Sequence, residues 1–590
     1  MKKIQLILLL VLLAITGQAG AQIIPTTITN GQFDPGTVFY RIKFTPSFLQ
    51  QHYITIGSDV TTTNIRGNAT LFAFVGNNTD GYRIYAKGDA TKYIYLTSTT
   101  SDVNVDNVNY GTSDTYDKFK IHTNGKGYTI YQYGPRSSSI PTSLNYVSGS
   151  TLQTWSNSES LSDNNCRVAF EAVEMSLLYQ YTFSEGTVNQ VVYGTIGSAY
   201  PAPATAPAFC TITGSKPSGK VTAGGVDNAS FTATWNGPLE YSSDLANAKW
   251  YLMTLGYQDS HKQVFRYSTL NTTINLPTDA YTFTYSSKDQ FAFVGNPLDG
   301  FQVINRSAGN PRLVANADGT GNPSFANSPS SAQSDRWDIY NVTVGPASSI
   351  TVPGDKRFGL NLHGNNAKKL NRNGASYNVV YWGDHDNGST FTVSQADLPS
   401  LALNVFDGKT YASLYVDYPV QVTSENVKVY TGTVSGNTLQ MTEANDKIIP
   451  AGVGVVLVGN TASETSAALS IANSAGTVSH GVIEGSITDV PIQGYQDQYL
   501  VLGLSNQEPQ SVGFFQPTVA TIPAYRAYIP KSATQSVRGL YFNFDGETTS
   551  IDPTVLTPAK EETIYDLSGR RVNKTVKGIY IKNGKKIYVK

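Results

Sequence analysis

The residue types best suited to chemistry lie together in one short segment, residues 381–387, which reads YWGDHDN. An exposed aromatic ring can stack on the apolar face of a sugar, while carboxylates and amides hydrogen-bond its hydroxyl groups. Asp384 and Asp386 are the strongest candidates for ligand contact, with Trp382 and Asn387 beside them. An ordinary polar turn is the alternative reading of the same residues.

A plainer version of this segment occurs earlier in the chain, at residues 155–159, which read WSNSE. Trp155 and Asn157 complete the set of candidate ligand contacts. The earlier segment lacks the pair of aspartates. The sequence therefore predicts two candidate sites of related type, of which the later is richer in polar groups.

Motifs for catalysis and for metal binding fail on inspection. Residues 214–221, GSKPSGKV, have the spacing of a phosphate-binding loop but end in Val221, where Ser or Thr must meet the metal ion. Residues 102–113 begin like a calcium loop, but Asn107 stands where the turn needs Gly and Ser113 where Glu belongs. The six histidines show no ligand spacing. We expect no cofactor, no metal and no enzymatic activity.

The elements that position these residues must be strands. Charged residues make up only 14% of the chain, and 37 tyrosines accompany many Thr, Ser and Asn, a composition typical of strands joined by polar turns. The formal net charge is −1, and residues 560–590 hold nine Lys or Arg against three Asp or Glu, so the rest of the chain is mildly acidic. The sequence predicts an all-β, multi-domain protein that does not bind nucleic acid.

An internal repeat sets the domain organisation. Residues 72–87, FAFVGNNTDGYRIYAK, return as residues 291–306, FAFVGNPLDGFQVINR, with eight of sixteen positions identical. Landmarks on either side keep their order, which predicts that residues 38–174 and 245–395 are two copies of one domain. Within the first copy, similar hairpin patterns begin at Tyr40, Tyr82 and Phe119. A hairpin cannot bury its apolar face alone, so three are expected to close on one another.

Both copies resemble the ricin-B-type β-trefoil domains of secreted Bacteroidetes proteins. The resemblance rests on the opening YRI strand at residues 40–42, on QTW at residues 153–155, and on LNRNGASYNVVYWGDHDNGSTF at residues 370–391. The second copy has VYW at residues 380–382 in place of a Gln-x-Trp. The resemblance implies two β-trefoils in tandem, a glycan or glycoprotein as partner, and core positions for Trp155 and Trp382.

The remaining segments have weaker signals. Residues 549–590 contain IYDLSGRRV (564–572), GIYI (578–581) and NGKKIYVK (583–590). With these motifs, the segment resembles the domain that sorts proteins through type IX secretion, which implies the secretion machinery or outer-surface components as further partners and a small C-terminal β meander. Residues 1–21 have the charged start, apolar run and small-residue end of a secretory signal peptide, with cleavage predicted between Ala21 and Gln22, and no segment is long enough to span a membrane. The other predicted parts are a linker (22–37), a small β module or linker (175–244) and a β-rich module (396–548).

The two cysteines, Cys166 and Cys210, leave two alternatives open. They could form one disulfide in an oxidising compartment, or they could remain free, packed thiols. In either case, the fold must be held by its hydrophobic cores.

Together these features predict an exported, non-catalytic surface protein that binds a glycan or glycoprotein. Two alternatives remain open: a structural or adhesive protein that binds other proteins without sugar affinity, and an accessory partner of a glycoside hydrolase. Exposure or burial of Trp382, and polar groups near Asp384 and Asp386, are expected to separate the first two readings.

Overall fold

The chain is all-β in its computed structural model. The structure describes residues 23–44, 51–98, 106–114, 116–123, 127–133, 142–155, 163–225, 228–256, 263–277, 282–316, 320–342, 357–374, 376–383, 386–506, 510–534, 537–544, 547–548, 564–565, 571–572, 577–582 and 585–589. Helices within these ranges are short 3-10 helices: Arg66–Asn68, Asn164–Cys166, Ser287–Asp289, Asn387–Ser389, Gln496–Gln498 and Lys531–Ala533. None of them is long and apolar enough to cross a membrane.

The described residues form two compact units. Residues up to 206, together with 210–235, make the first unit, and residues 207–209 with those from 236 onward make the second. The strands of the first unit are β1 (Ile28–Thr29), β2 (Gln32–Phe33), β3 (Val38–Phe44), β4 (His52–Ile56), β5 (Val60–Thr63), β6 (Phe72–Asn77), β7 (Gly81–Ala86), β8 (Tyr93–Ser98), β9 (Asp106–Gly111), β10 (Phe119–Thr123), β11 (Tyr128–Gln132), β12 (Ser143–Tyr146), β13 (Leu152–Trp155), β14 (Val168–Phe183), β15 (Gly186–Thr195), β16 (Cys210–Thr213) and β17 (Ala229–Trp235).

Six strands of the first unit close into a barrel. Each barrel strand pairs antiparallel with the next in the order β3, β6, β7, β10, β11, β14. The ring closes because β14 also pairs with β3. The hairpins β4–β5, β8–β9 and β12–β13 are inserted between successive barrel strands. Alternate residues of β3 are fully buried in the barrel, which gives the inward face that a closed sheet requires.

The segments flanking this barrel are built into the first unit. Strand β14 is 16 residues long, so the predicted domain boundary at residue 174 falls inside it. Its second half pairs with β15 and β17, and β17 pairs with β16, which makes a group of four strands from part of residues 175–244. Residues 22–37, predicted to be a linker, contain the β1–β2 pair, and the Phe33 ring lies 5.2 Å from that of Phe39.

The second unit contains a barrel of the same connectivity and a larger β region. Its strands are β18 (Trp250–Leu255), β19 (Gln263–Val264), β20 (Gln290–Asn296), β21 (Gly300–Asn305), β22 (Arg312–Asn316), β23 (Ser324–Ala326), β24 (Gln333–Ser334), β25 (Trp337–Tyr340), β26 (Arg357–Leu362), β27 (Lys369–Arg372), β28 (Val379–Trp382), β29 (Phe391–Ser394), β30 (Leu401–Ala402), β31 (Asn404–Phe406), β32 (Lys409–Leu414), β33 (Val420–Val422), β34 (Val427–Ser435), β35 (Thr438–Glu443), β36 (Ile448–Ile449), β37 (Val455–Gly459), β38 (Ser466–Ala467), β39 (Leu469–Ile471), β40 (Glu484–Ser486), β41 (Val490–Pro491), β42 (Tyr499–Leu504), β43 (Val512–Phe515), β44 (Thr521–Ile522), β45 (Arg526–Pro530), β46 (Gly539–Phe544), β47 (Glu547–Thr548), β48 (Ile564–Tyr565), β49 (Arg571–Val572), β50 (Gly578–Lys582) and β51 (Lys585–Val589).

The second barrel closes in the same order as the first. Strand β18 pairs with β20, and the ring continues through β21, β25, β26 and β29 back to β18. The hairpins β22–β23 and β27–β28 occupy the places that β8–β9 and β12–β13 hold in the first barrel. The two barrels therefore share one strand-pairing scheme.

The repeated sequence forms the same hairpin in each barrel, β6–β7 in the first and β20–β21 in the second. The side-chain oxygens of Asn77 and Asn296 each accept two backbone N–H groups within the turn. Gly76 and Gly295 have φ of +116° and +135°, and a Cβ there would lie 2.4 and 2.6 Å from the carbonyl oxygens of Gly81 and Gly300. The Gly-Asn pair of the repeat is thus required by the backbone of the hairpin.

The second barrel packs against the β-rich module that follows it. Leu252, Val264 and Phe283 of the barrel belong to the same buried cluster as apolar residues between Leu398 and Ile471 of the module. The module itself contains an eleven-stranded sheet with β31 at one edge and β40 at the other. Beyond the module, β48 to β51 form a four-stranded antiparallel sheet in the segment where a small meander is predicted.

A partly buried cation, Arg306, lies where the barrel meets the module. Its guanidinium lies 4.9 Å from the centre of the Trp250 ring and 5.2 Å from that of Tyr418 in the module. One nitrogen donates to Gln290 Oε1 at 2.9 Å. Burial lowers the pKa of Arg306 to about 10. The aromatic faces therefore replace part of the hydration that burial removes from this cation.

Candidate ligand-binding site

Two exposed tryptophans occupy equivalent places in the two barrels. Of the five tryptophans, Trp155 and Trp382 are the exposed ones, at 47% and 53% of their surface. Each is the last residue of the second strand of its hairpin, β13 or β28. Trp155 lies opposite Ser143, and Trp382 lies opposite Lys369. Each barrel thus presents one indole ring to solvent at the end of the same hairpin.

The prediction that Trp155 and Trp382 are core residues is wrong. Successive side chains of a strand point to opposite faces, and the inward positions of these hairpins are filled by their neighbours. Leu152 and Thr154 are buried on β13, and Val379 is buried on β28. Trp155 follows an inward residue and must therefore point outward. Exposure of Trp382 was the feature expected to favour ligand binding over a purely structural role.

A buried asparagine and an aspartate fix the short 3-10 helix Asn387–Ser389, which comes after β28 in the chain. Asn371 of β27 is buried, and its Nδ2 donates to Asp386 Oδ1 at 2.6 Å and to Ser389 Oγ at 2.8 Å. The same Asp386 oxygen accepts the backbone N–H of Gly388 at 2.7 Å, which caps the 3-10 helix Asn387–Ser389. Asp386 therefore has a positioning role, and ligand contact by its carboxylate stays a prediction.

The first barrel contains the same arrangement with different partners. Buried Asn145 donates from Nδ2 to Asp163 Oδ2 at 2.8 Å and to Cys166 Sγ at 3.1 Å. Asp163 Oδ1 accepts the backbone N–H of Asn165 at 2.8 Å and caps the helix Asn164–Cys166. Asp163 is thus the structural counterpart of Asp386, with Cys166 in the place of Ser389.

Sequence reasoning missed Asp163 because the loop that separates it from Trp155 is longer than the corresponding loop in the second barrel. A signal was nevertheless present. The capping segments read DNNC at residues 163–166 and DNGS at residues 386–389, so both begin Asp-Asn and end in a small residue with a polar atom. Aligning these segments would have located the cap without the structure.

Several predicted site residues lie outside the described residues. They are Asp384 and Asn157, together with Ala21 and Gln22 of the predicted cleavage site. The backbone of Asn387 is described as the first residue of its 3-10 helix. The structure therefore places Trp155 and Trp382 at equivalent hairpin ends, and Asp386 at the start of the 3-10 helix that follows β28 in the chain.

The surroundings of the two tryptophans differ in charge. Lys369 Nζ donates to the carbonyl oxygen of Gly383, the residue after Trp382, at 2.8 Å, and also to that of Asn366. The neighbouring Lys368 has its Nζ 5.7 Å from the centre of the Tyr381 ring. Ser143, at the position of Lys369 in the first barrel, is buried and neutral. Among the described residues, a lysine held by hydrogen bonds thus lies opposite the second tryptophan, and a neutral serine lies opposite the first.

Both cysteines are free thiols, Cys166 buried and Cys210 partly exposed. Burial raises the pKa of Cys166 to about 11, and it also raises the pKa of Cys210. A raised pKa leaves little thiolate at neutral pH, so neither group has the environment of a reactive nucleophile.

Ionisable side chains are dispersed through the described part of the chain. No group of three or more His, Cys, Asp or Glu side chains there is placed to hold a metal ion. One His–carboxylate pair is formed by His363 Nδ1 and Asp338 Oδ1, 2.6 Å apart, and this hydrogen bond raises the pKa of His363. His363 packs against the turn at Gly300, so the pair supports the barrel hairpin.

Comparison with known proteins gives little further information. No protein-family model and no curated protein matches the chain. Among solved structures, one match is described as the structure and mode of action of a mosquitocidal holotoxin, at 13% identity. The match covers 71% of this chain and 57% of that chain, with a TM-score of 0.20. At that TM-score, the similarity supports no conclusion on fold or function.

Proposed function

We propose that this protein is an exported, non-catalytic glycan-binding protein in which each barrel, with its hairpins, is a β-trefoil. The closed ring of six strands with inserted hairpins, present twice, supports the trefoil assignment. The observation that carries the function is the exposure of Trp155 and Trp382 at equivalent hairpin ends. Each indole offers a flat apolar face at a fixed position, which is the feature that stacks on a sugar ring.

Polar groups near each ring would supply the second part of sugar recognition. Later in the chain than Trp382, Asn371 and the backbone of Gly388 donate to Asp386, which caps the 3-10 helix Asn387–Ser389 and holds its backbone in place. An open site of this kind binds one sugar residue weakly. Two such sites on one chain raise the avidity for a polymer that both sites reach at once.

Export and surface attachment complete the proposal. The N-terminal segment predicts a secretory signal peptide cleaved before Gln22. The C-terminal segment resembles a type IX sorting domain, which supports the secretion machinery or outer-surface components as further partners.

A glycan-array experiment tests the function. The chain from Gln22 onward would be compared with Trp155→Ala, Trp382→Ala and the double variant. Tyr495→Ala is the matched control, because Tyr495 is an aromatic residue at 59% exposure that belongs to the module and to neither hairpin. We expect binding to fall in each single variant and to disappear in the double variant, while the control binds as the parent does.

Two results would contradict the proposal. Binding that survives in the double variant would move the site away from both hairpins. A folded parent protein that binds no glycan would instead favour a structural or adhesive protein that binds other proteins, and the two exposed rings would then be tested as protein contacts.

A further inference from the structure

We propose that the Trp382 site selects an anionic saccharide, one that carries a carboxylate or sulfate group, whereas the Trp155 site takes a neutral one. This inference rests on the proposed glycan-binding function and specifies its ligand class. It comes from the charge difference between two hairpins that are otherwise equivalent.

Lys369 is held in position beside the exposed indole. It lies opposite Trp382 in the β27–β28 pair, a position from which cross-strand side chains contact each other. Its ammonium group donates to the carbonyl oxygens of Asn366 and Gly383, and an ammonium group has three donors. Because two contacts are already made within the protein, the side chain is ordered before ligand binds, which lowers the entropic cost of a further contact.

The hairpin that carries Trp382 has a positive net charge, the same sign as the Lys369 ammonium group. Residues 368–382 include Lys368, Lys369 and Arg372 and no acidic residue, whereas the equivalent residues 142–155 of the first barrel include no charged residue. The nearest described carboxylate along the chain, Asp386, accepts hydrogen bonds from Asn371 and from the backbone of Gly388 through one oxygen. Its charge is therefore partly compensated within the loop.

A sugar stacked on Trp382 could place an acidic substituent over Lys369, and this attraction would act only on charged saccharides. Lys369 is partly exposed, so solvent and salt screen the interaction. We expect its contribution to be about fivefold in affinity at low salt and to decline as salt rises.

Matched polymers separate charge from shape in the test. Polygalacturonate would be compared with its methyl ester, and dextran sulfate with dextran, by measuring the affinity of the full-length exported chain in solution. The variants are Trp382→Ala and Lys369→Gln. Lys409→Gln is the control, because Lys409 is an exposed lysine on β32 in the same unit.

Lys369→Gln should weaken binding of the anionic member of a pair about fivefold and leave the neutral member unchanged. Lys409→Gln should change neither, and Trp382→Ala should abolish the preference. The polygalacturonate and dextran sulfate arms show whether carboxylate or sulfate is preferred. Thermal unfolding would confirm that each variant is folded.

Failure of this inference and failure of the proposed function give different results. If Trp382→Ala weakens binding while Lys369→Gln leaves the anionic preference intact, the charge selection is overturned and the lectin function stands. Trp155→Ala leaves only the Trp382 site, and equal affinity of this variant for the neutral and anionic members of a pair would also overturn the charge selection. If no polymer and no arrayed glycan binds, the proposed function fails and this inference with it.

Discussion

The two barrels have the same strand pairing and differ in the elements that pack around them. Both close six strands in the same order, both hold their repeated hairpin with an Asn side chain, and both fix a capping Asp with a buried Asn. The first barrel continues through β14 into its own small sheet. The second packs on a following module through Leu252, Val264 and Phe283. The two barrels are thus alike in what the backbone requires and different in the elements that pack around them.

This comparison separates folding residues from candidate binding residues. The most similar stretch, residues 72–87 and 291–306, is a hairpin that requires glycine at residues 76 and 295, so part of its repetition reflects backbone geometry. The exposed tryptophans recur although no inward packing demands them. Exposure of a large apolar ring twice at one position is therefore the better pointer to function.

The largest expected effect comes from removing the module that covers the second barrel. A fragment of residues 245–395 should fail to fold, because Leu252, Val264 and Phe283 lose their cover, and each buried side chain of this size contributes about 1.5–3 kcal/mol. A fragment of residues 23–235 should fold. Circular dichroism on heating would show a cooperative transition only for the second of these. A fragment of residues 236–548 is the control, and a stable 245–395 fragment would contradict the coupling.

Substitution of the turn glycines should destabilise each barrel strongly. In Gly76→Ala or Gly295→Ala, the new Cβ meets a carbonyl oxygen at 2.4 or 2.6 Å, and φ is strained as well. We expect a loss of about 3 kcal/mol or more in the free energy of unfolding. Gly88→Ala is the control, because φ is +92° but nothing lies within 4 Å of a Cβ there. Equal losses in urea unfolding for all three variants would refute the steric argument.

The Asn–Asp arrangement should contribute less and about equally in the two barrels. Asn145→Ala and Asn371→Ala each leave a capping carboxylate without its buried donor, at a cost of about 1–3 kcal/mol. Asn371→Ala should in addition weaken any binding that depends on Trp382. Asn189→Ala, on the exposed face of β15, serves as control in the same denaturation experiment. A loss in one barrel alone would mean that the two arrangements are not equivalent.

The smallest effect concerns the cysteine of the first barrel. Cys166→Ser should cost about 1 kcal/mol or less near neutral pH, because Ser389 fills the same role in the second barrel. The buried thiol has its pKa raised from 9.0 to about 11, so the unfolded chain ionises first and native stability declines as pH rises through this window. Stability measured against pH should lose this component in Cys166→Ser and keep it in Cys210→Ser, where the thiol is less buried.

Much of the architecture was predictable from sequence because it depends on local chemistry. Low charge, many Tyr and Thr, and alternating apolar residues indicated an all-β chain, which is confirmed. The prediction failed for Trp155 and Trp382, because a one-residue change in register reverses the face of every side chain in a strand, and composition does not set the register. Asp163 was missed because loop length concealed its equivalence to Asp386.

By itself, the sequence determined the strand-forming pattern, the repeated turn and the residue types available at each hairpin. These follow from side-chain shape and from backbone restrictions that act within a few residues. Only the tertiary structure decided that the two indoles face solvent and that Lys369 stands opposite Trp382. It also decided that Arg306 lies between the rings of Trp250 and Tyr418. These relations join residues on different strands, so they exist only after the chain has paired and packed.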